Sequence, residues 1–124
     1  MRVLVTGAAG FIGFNLSRHL LTRGDEVLGI DSLNDYYDVT LKHARLGELA
    51  KSGDGLGGGF AFKQVDFSDH VALETALGNE DFDRIVHLGA QAGVRYSIEN
   101  PRAYLQANLA GHLNMLEIAR HRRT

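Results

Sequence analysis

Three glycines, each three residues after the last, follow the first apolar run of the chain. Gly7, Gly10 and Gly13 come directly after residues 3–6 and open an amphipathic segment. In a turn of this kind the first glycine permits a tight reversal out of a strand. The second lets the backbone approach a phosphate, and the third lets a helix pack closely on the sheet. Because N–H groups at a helix start face an anion, the spacing predicts a strand, a phosphate-binding turn and a helix.

Asp31 ends the next apolar run. At this position a carboxylate accepts hydrogen bonds from both ribose hydroxyls of a dinucleotide, but it repels the 2′-phosphate of NADP. No Arg or Lys follows Asp31 until Lys42. The alternative is an ordinary turn aspartate. The order of strand, glycine turn, helix, strand and acid favours a dinucleotide site with NAD as its cofactor.

Short apolar runs alternate with helical patterns, which indicates repeated β-α units and a buried parallel sheet. The patterns predict strands at residues 2–6, 26–31, 60–66 and 84–88, and helices at residues 11–23, 40–51 and 70–77. Right-handed crossovers then give the strand order 3-2-1-4. The predicted class is α/β, a partial Rossmann fold in which helices flank a four-stranded parallel sheet. The ligand crevice is expected between strands 1 and 4, at their carboxyl ends.

Several helix ends carry their own signals. Gly24 is placed to end the first helix in a left-handed conformation, and Ser68 or Asp69 is placed to cap the third. A fourth helix is predicted with Asn100 as its cap and Pro101 at its first position. Its apolar stripe consists of Leu105, Leu109, Leu113 and Leu116. Between the second helix and the third strand, residues 52–59 contain five glycines and are expected to form a mobile linker.

Composition excludes several classes of function. The chain of 124 residues has a net charge of −2 with interspersed signs, so neither nucleic acid nor a membrane surface is an expected partner. It contains no cysteine, and its six histidines show no HxxxH or HExxH pairing, so no metal site is predicted. No signal peptide precedes the first strand, which favours a cytoplasmic location.

The G-x-x-G-x-x-G spacing, with Thr6 before it and Ala9 within it, resembles the extended short-chain dehydrogenase/reductase family, which includes NAD-dependent epimerases and dehydratases of nucleotide sugars. Two longer strings are more specific. The segments DSLNDYYDVTLK at residues 31–42 and HLGAQAGVRYS at residues 87–97 are similar to the UDP-glucuronate 4-epimerase branch, as is the pair Arg45 and Leu46.

The motif and the resemblance together imply a set of NAD-binding residues. The resemblance implies a ribose contact for Asn34, an adenine contact for Asp66 and the backbone after it, and a place facing the nicotinamide for Asn108. A turn aspartate at Asp66 and a polar residue packed inside the helix at Asn108 are the alternatives. The predicted set comprises Gly7, Gly10, Phe11, Ile12, Gly13, Asp31, Asn34, Asp66, Phe67, Leu88, Gly89, Ala90 and Asn108.

Four further residues have two interpretations. Arg95 is a substrate candidate, because its planar guanidinium can clamp a diphosphate or a sugar carboxylate, but a structural ion pair is the alternative. Tyr36 and Tyr37 are either site residues or packing residues. His87 ends a buried strand, and we interpret it as a core histidine and not as a catalytic acid or base.

In the family that the sequence resembles, a Tyr-x-x-x-Lys pair and a serine or threonine catalyse proton transfer, and they lie beyond a fifth strand. None of the four tyrosines here is followed by lysine four positions on, so no catalytic residue is predicted. We therefore expect residues 1–124 to be the NAD-binding domain of a nucleotide-sugar epimerase, inactive alone, whose full-length parent binds the sugar. A non-catalytic dinucleotide-binding module, or the same part of a dehydratase or decarboxylase, is the alternative. A homo-oligomer is expected, through the fourth helix or the edge of strand 4.

Overall fold

Four parallel strands form one sheet in the order β3-β2-β1-β4 in the computed structural model, which describes residues 1–53, 58–122 and 124. The strands are β1 (Arg2–Thr6), β2 (Glu26–Asp31), β3 (Phe60–Gln64) and β4 (Arg84–His87). The predicted α/β class and strand order are confirmed. β3 and β4 end earlier than predicted, so Asp66 and Leu88 lie just beyond the ladder.

Helices follow each strand and cover both faces of the sheet. They are α1 (Phe11–Thr22), α2 (Val39–Gly53), α3 (His70–Leu77), α4 (Val94–Glu99), α5 (Pro101–Tyr104) and α6 (Gly111–Arg122), with a π-helical segment (Leu105–Ala110) between the last two. The predicted ends are confirmed in three places: Gly24 has φ +87°, Asp69 accepts from the Ala72 N–H, and Asn100 accepts from the Ala103 N–H. The short α4 was not predicted from the sequence.

Alternation along the strands separates two apolar cores. Leu4 of β1 points to the face covered by α3 and α6, where it meets Leu28, Ile30, Leu73 and Met115 among others. Val3 and Val5 point to the face covered by α1 and α2 and pack with Leu20, Leu21, Val27 and Leu49. Because both faces are covered, β1 and β2 are buried almost throughout, as expected for a parallel sheet.

The predicted fourth helix corresponds to α5, the π-helical segment and α6, and its leucine stripe does not face the sheet. Gly111, Met115 and Ile118 form the buried side of α6, whereas the four leucines are each more than half exposed: Leu105, Leu109, Leu113 and Leu116. A Cβ at Gly111 would lie 2.4 Å from the Phe67 ring, so the helix approaches the sheet through its smallest residue. The π-helical segment adds a residue to one turn and changes which side chains share a face.

Two other expectations concern the surface of the chain. The expected mobile linker at residues 52–59 contains residues 54–57, which lie outside the described residues. Among the helices that the structure describes, none is both long and apolar enough to cross a bilayer.

Candidate functional site

A cavity of about 480 Å³ opens at the carboxyl ends of β1, β2 and β4, where the sequence predicts the ligand crevice. Every predicted NAD-binding residue except Asn108 lines it. Sequence reasoning did not assign several other lining residues to the site: Ser32, Lys42, Ser68, Gln91, Ala103, Gln106 and Ala107. Tyr36 and Tyr37 also line it, and their two interpretations as site residues or packing residues stay open.

The glycine turn has the geometry that its spacing predicts. Gly7 has φ +68°, and a Cβ there would lie 2.9 Å from the Gly89 backbone nitrogen. At Gly13 a Cβ would lie 2.1 Å from the Gly7 carbonyl oxygen, so any larger residue forces the turn away from α1. Gly10 is different, because its φ of −73° and ψ of 170° suit any residue. Its missing side chain therefore leaves space in the cavity and is not needed to permit the turn.

Asp31 is a buried carboxylate held by backbone N–H groups from two directions. Its Oδ2 accepts from the Ala9 N–H at 3.2 Å, and its Oδ1 accepts from the Leu33 N–H at 2.8 Å. Leu33 has φ +56°, a conformation that turns the chain sharply after β2. These bonds fix the carboxylate at the cavity wall, beside the glycine turn, with lone pairs left to accept further hydrogen bonds.

Two cations of α2, which follow Asp31 by 11 and 14 residues in the sequence, lie near this part of the site: Lys42 beside the carboxylate and Arg45 at Ala9. The buried Lys42 ammonium lies 3.8 Å from Asp31 Oδ1. It donates to the backbone oxygen of Asn34 at 2.9 Å and to the side-chain Oδ1 of Asn34 at 3.2 Å. Arg45 donates to the Ala9 carbonyl at 3.1 Å. The sequence separation of 11 residues suggested that no cation lies near Asp31, and this is wrong, because Lys42 in the first turn of α2 lies beside the carboxylate.

A hydroxyl network joins β1 to the loop after β4. Thr6 Oγ1 accepts from the N–H groups of Leu88 at 3.0 Å and Gly89 at 2.9 Å, and lies 2.7 Å from His87 Nδ1. The single hydroxyl hydrogen of Thr6 is then donated to Nδ1, which places the proton of the neutral imidazole on Nε2. His87 orders the cavity wall and does not line the cavity, in agreement with its interpretation as a core residue.

Acid is expected to destabilise the fold through His87. Burial, and then the neighbouring His112, lower the pKa of His87. In the unfolded chain the imidazole titrates near its ordinary value of about 6.5, so below that pH the unfolded state binds a proton that the folded state does not. Stability is thus expected to fall as pH falls from about 7.5 to 5.5, as measured by urea unfolding. In the His87→Gln variant the fall should be smaller, and an equal fall in both proteins would contradict this assignment.

Asp66 and Phe67 follow β3 at the cavity wall. Asp66 Oδ1 accepts from the Ser68 N–H at 2.9 Å, which is a turn contact and leaves Oδ2 available. The buried Phe67 ring fits between Gly89 and Gly111, where a Cβ at either glycine would lie 2.4 Å from it. The Phe67 carbonyl accepts from Asn114 Nδ2 at 3.0 Å.

Two predicted residues lie outside the cavity lining. Asn108 accepts from the Gln91 N–H at 2.8 Å and donates to the Gln91 carbonyl at 3.0 Å, so its side chain clamps the loop after β4. Asn108 itself is exposed and contacts a loop, so its place facing the nicotinamide stays a prediction. Arg95 is exposed on α4, and within the described residues it forms no ion pair. Its role in binding an anionic group stays a prediction.

Four tyrosines form a cluster between the loop after β2 and α4. Ring centroids lie 4.7 Å apart for Tyr36 and Tyr37, 5.1 Å for Tyr36 and Tyr96, and 6.2 Å for Tyr96 and Tyr104. The Tyr104 hydroxyl donates to the Ala92 carbonyl at 2.8 Å. A Cβ at Gly93 would lie 2.0 Å from the Tyr36 hydroxyl oxygen, so glycine there lets the cluster close. The sequence does not predict this cluster, because its members come from three segments: the loop after β2, α4 and α5.

Comparison with known proteins gives a family and a set of relatives. The family described as GDP-mannose 4,6 dehydratase matches residues 4–124. The chain is 49% identical over 115 residues to UDP-glucuronate 4-epimerase of Thermodesulfobacterium geofontis, covering 93% of this chain and 34% of that enzyme. It is 48% identical over 120 residues to the probable UDP-glucuronate 4-epimerase of Rhizobium meliloti, covering 97% and 34%.

A solved structure shares the same architecture. The UDP-glucose 4-epimerase of Thermus thermophilus, in complex with NAD, superposes with a TM-score of 0.75 at 36% identity, covering 98% of this chain and 34% of that one. The chain thus spans about a third of the length of the relatives it matches. Its four-stranded sheet corresponds to part of a longer protein in each case.

Proposed function

Because the chain belongs to the GDP-mannose 4,6 dehydratase family, we propose that it is the NAD-binding portion of a nucleotide-sugar epimerase similar to UDP-glucuronate 4-epimerase. The observation that carries the proposal is one cavity lined by both the glycine turn and the Asp31 carboxylate. Those two features recognise a pyrophosphate and a ribose, which are the two parts that every dinucleotide cofactor contains.

The residues present fit NAD. Gly10 supplies an open surface at the start of α1, and the first N–H groups of a helix have no intrahelical acceptor and attract an anion. Asp31 keeps lone pairs free for ribose hydroxyls. Asp66 Oδ2 lies in the same wall and can accept from an adenine amino group. NAD, when bound, accepts a hydride from a sugar carbon, and this chain's own part is to bind and orient the dinucleotide.

Part of the cavity lining is apolar. Leu88, Gly89 and Ala90 follow β4, and Ala103 of α5 and Ala107 of the π-helical segment line the same cavity. Small apolar residues let a flat ring lie against backbone, so we assign the nicotinamide to this end. Asn108 acts there through Gln91, whose backbone it holds on both sides. We keep Arg95 as a candidate for an anionic part of the sugar nucleotide.

NAD(H) is expected to bind more tightly than NADP(H), because Asp31 repels a 2′-phosphate and accepts bonds from a free 2′-hydroxyl. Isothermal titration calorimetry with both cofactors measures this directly. The Asp31→Ala variant should narrow the difference, whereas replacing the exposed acid Asp38 by alanine should leave it unchanged. Equal or tighter binding of NADP by the unaltered chain would contradict the proposal.

We further propose that this chain self-associates through four exposed leucines of the π-helical segment and α6: Leu105, Leu109, Leu113 and Leu116. Each of these four leucines is more than half exposed, and exposed apolar patches often mark protein–protein interfaces. Light scattering of the chain expressed alone is expected to give a dimer or larger species. Leu109→Glu should shift the mass toward the monomer. Leu41→Glu makes the same substitution at an exposed leucine of α2 and should leave the mass unchanged. A monomeric mass at high concentration would exclude this interface.

A further inference from the structure

Lys42 is a buried lysine whose ammonium lies at the ribose end of the cavity. Its residue is 7% exposed and that of Asp31 is 8% exposed, so water screens neither charge well. The ammonium donates to both oxygens of Asn34 and lies 3.8 Å from Asp31 Oδ1. All three of these residues line the cavity. The ribose end therefore contains a carboxylate and an ammonium together.

This pairing changes the electrostatic argument about the cofactor. A lone carboxylate presents a full negative charge to a 2′-phosphate, and such a charge repels strongly where the dielectric is low. A cation 3.8 Å from that carboxylate cancels much of the field beyond the pair. Arg45, one helical turn after Lys42, adds a second positive charge near Ala9. The net field at the ribose end is thus much weaker than Asp31 alone would produce.

We propose that Lys42 is a specificity-determining residue, which sets how strongly the site discriminates between NAD and NADP. Asp31 supplies the repulsion of a 2′-phosphate, and Lys42 limits it. In the Asp31→Ala variant the carboxylate 3.8 Å from the Lys42 ammonium is gone. Lys42 still lines the cavity, where its ammonium then attracts the 2′-phosphate. This inference rests on the proposed function, because it needs a dinucleotide in the cavity.

The test is a double-substitution cycle scored on the ratio of the NADP and NAD dissociation constants. Lys42→Met should raise that ratio about tenfold, because the repulsion by Asp31 is no longer offset. Lys42→Arg keeps the charge and should leave the ratio within about threefold of the starting value. Asp31→Ala should lower the ratio at least about tenfold, which is a relative improvement in NADP binding. Adding Lys42→Met to Asp31→Ala should reverse most of that decrease in the ratio.

Matched measurements separate the possible failures. Lys51 lies on the same helix with its side chain 77% exposed, so Lys51→Met reports the effect of net charge alone and should not change the ratio. Melting temperatures with and without NAD show whether each variant folds and binds. If the unaltered chain binds neither cofactor, the proposed function itself fails. If NAD binds but Lys42→Met weakens both cofactors equally, Lys42 only holds Asn34 in place and the inference is wrong.

Discussion

Replacing Gly10 by valine is expected to weaken NAD binding by about a hundredfold while leaving the fold intact. The backbone of Gly10 is extended, a conformation in which valine is favourable, and a Cβ there meets only the Gly7 carbonyl oxygen at 3.1 Å. Because Gly10 lines the cavity, we expect the added methyl groups to occupy space there and to keep a pyrophosphate away from the start of α1. The loss of two hydrogen bonds to a charged group is worth about this factor.

Neighbouring glycines provide the controls for this prediction. Gly13→Val should lower the melting temperature as well as binding, because its Cβ would lie 2.1 Å from the Gly7 carbonyl oxygen. Gly47→Val lies on the exposed side of α2 with no atom within 4 Å of an added Cβ, and it should change neither property appreciably. Calorimetry and thermal unfolding of the three variants give the comparison. An affinity for NAD within threefold of the unaltered chain at Gly10→Val would refute the assigned turn.

Sequence reasoning recovered the features that depend on local chemistry. The turn at Gly7, the left-handed Gly24 and the caps Asp69 and Asn100 each follow from the few residues around them. Strand order also follows, because right-handed crossovers leave few alternatives once four β-α units are recognised. Twelve of the predicted residues line the cavity because most of them lie at or just after strand ends, whereas the lining residues on α2 and on the helices after β4 were not assigned to it.

Features that depend on packing between distant segments were missed. The contact of Lys42 with Asp31 needs the length of the loop after β2 and the tilt of α2, and neither has a signature in composition. The leucine stripe was assigned by periodicity, but periodicity finds an apolar face without saying which surface covers it. Gly111 marks the side that packs, and its close contact with Phe67 is visible only in three dimensions.

The 124-residue chain incubated with NAD and UDP-glucuronate is expected to form no UDP-galacturonate above background. Hydride transfer from a sugar carbon requires removal of the hydroxyl proton in the same event, and a positioned base contributes about 10²–10⁴-fold. No tyrosine in the sequence has a lysine four positions on. Lys42 is engaged by Asn34 and Asp31, and His87 accepts from Thr6, so neither is placed to take a sugar proton.

Tyr104 directly follows Ala103, which lines the cavity, so it is one candidate for a base. Its hydroxyl donates to backbone carbonyls of Ala92 and Gly93, which hold the proton on the phenol. Desolvation and the neighbouring Tyr36 raise the pKa of Tyr104 above its ordinary value, so its phenolate is scarce at neutral pH. Because Tyr104 is not among the residues that line the cavity, Tyr104→Phe is expected to leave NAD affinity nearly unchanged.

Chromatography of the sugar nucleotides over several hours, with Gly10→Val as the control that lacks the cofactor site, measures this expectation. NAD binding without turnover would place the chemistry outside residues 1–124, in the part of the relatives that these residues do not match. Product formation above the control would mean that a base for the sugar hydroxyl lies within residues 1–124. Its loss in Tyr104→Phe would then identify that tyrosine, despite its raised pKa, as the group that removes the proton.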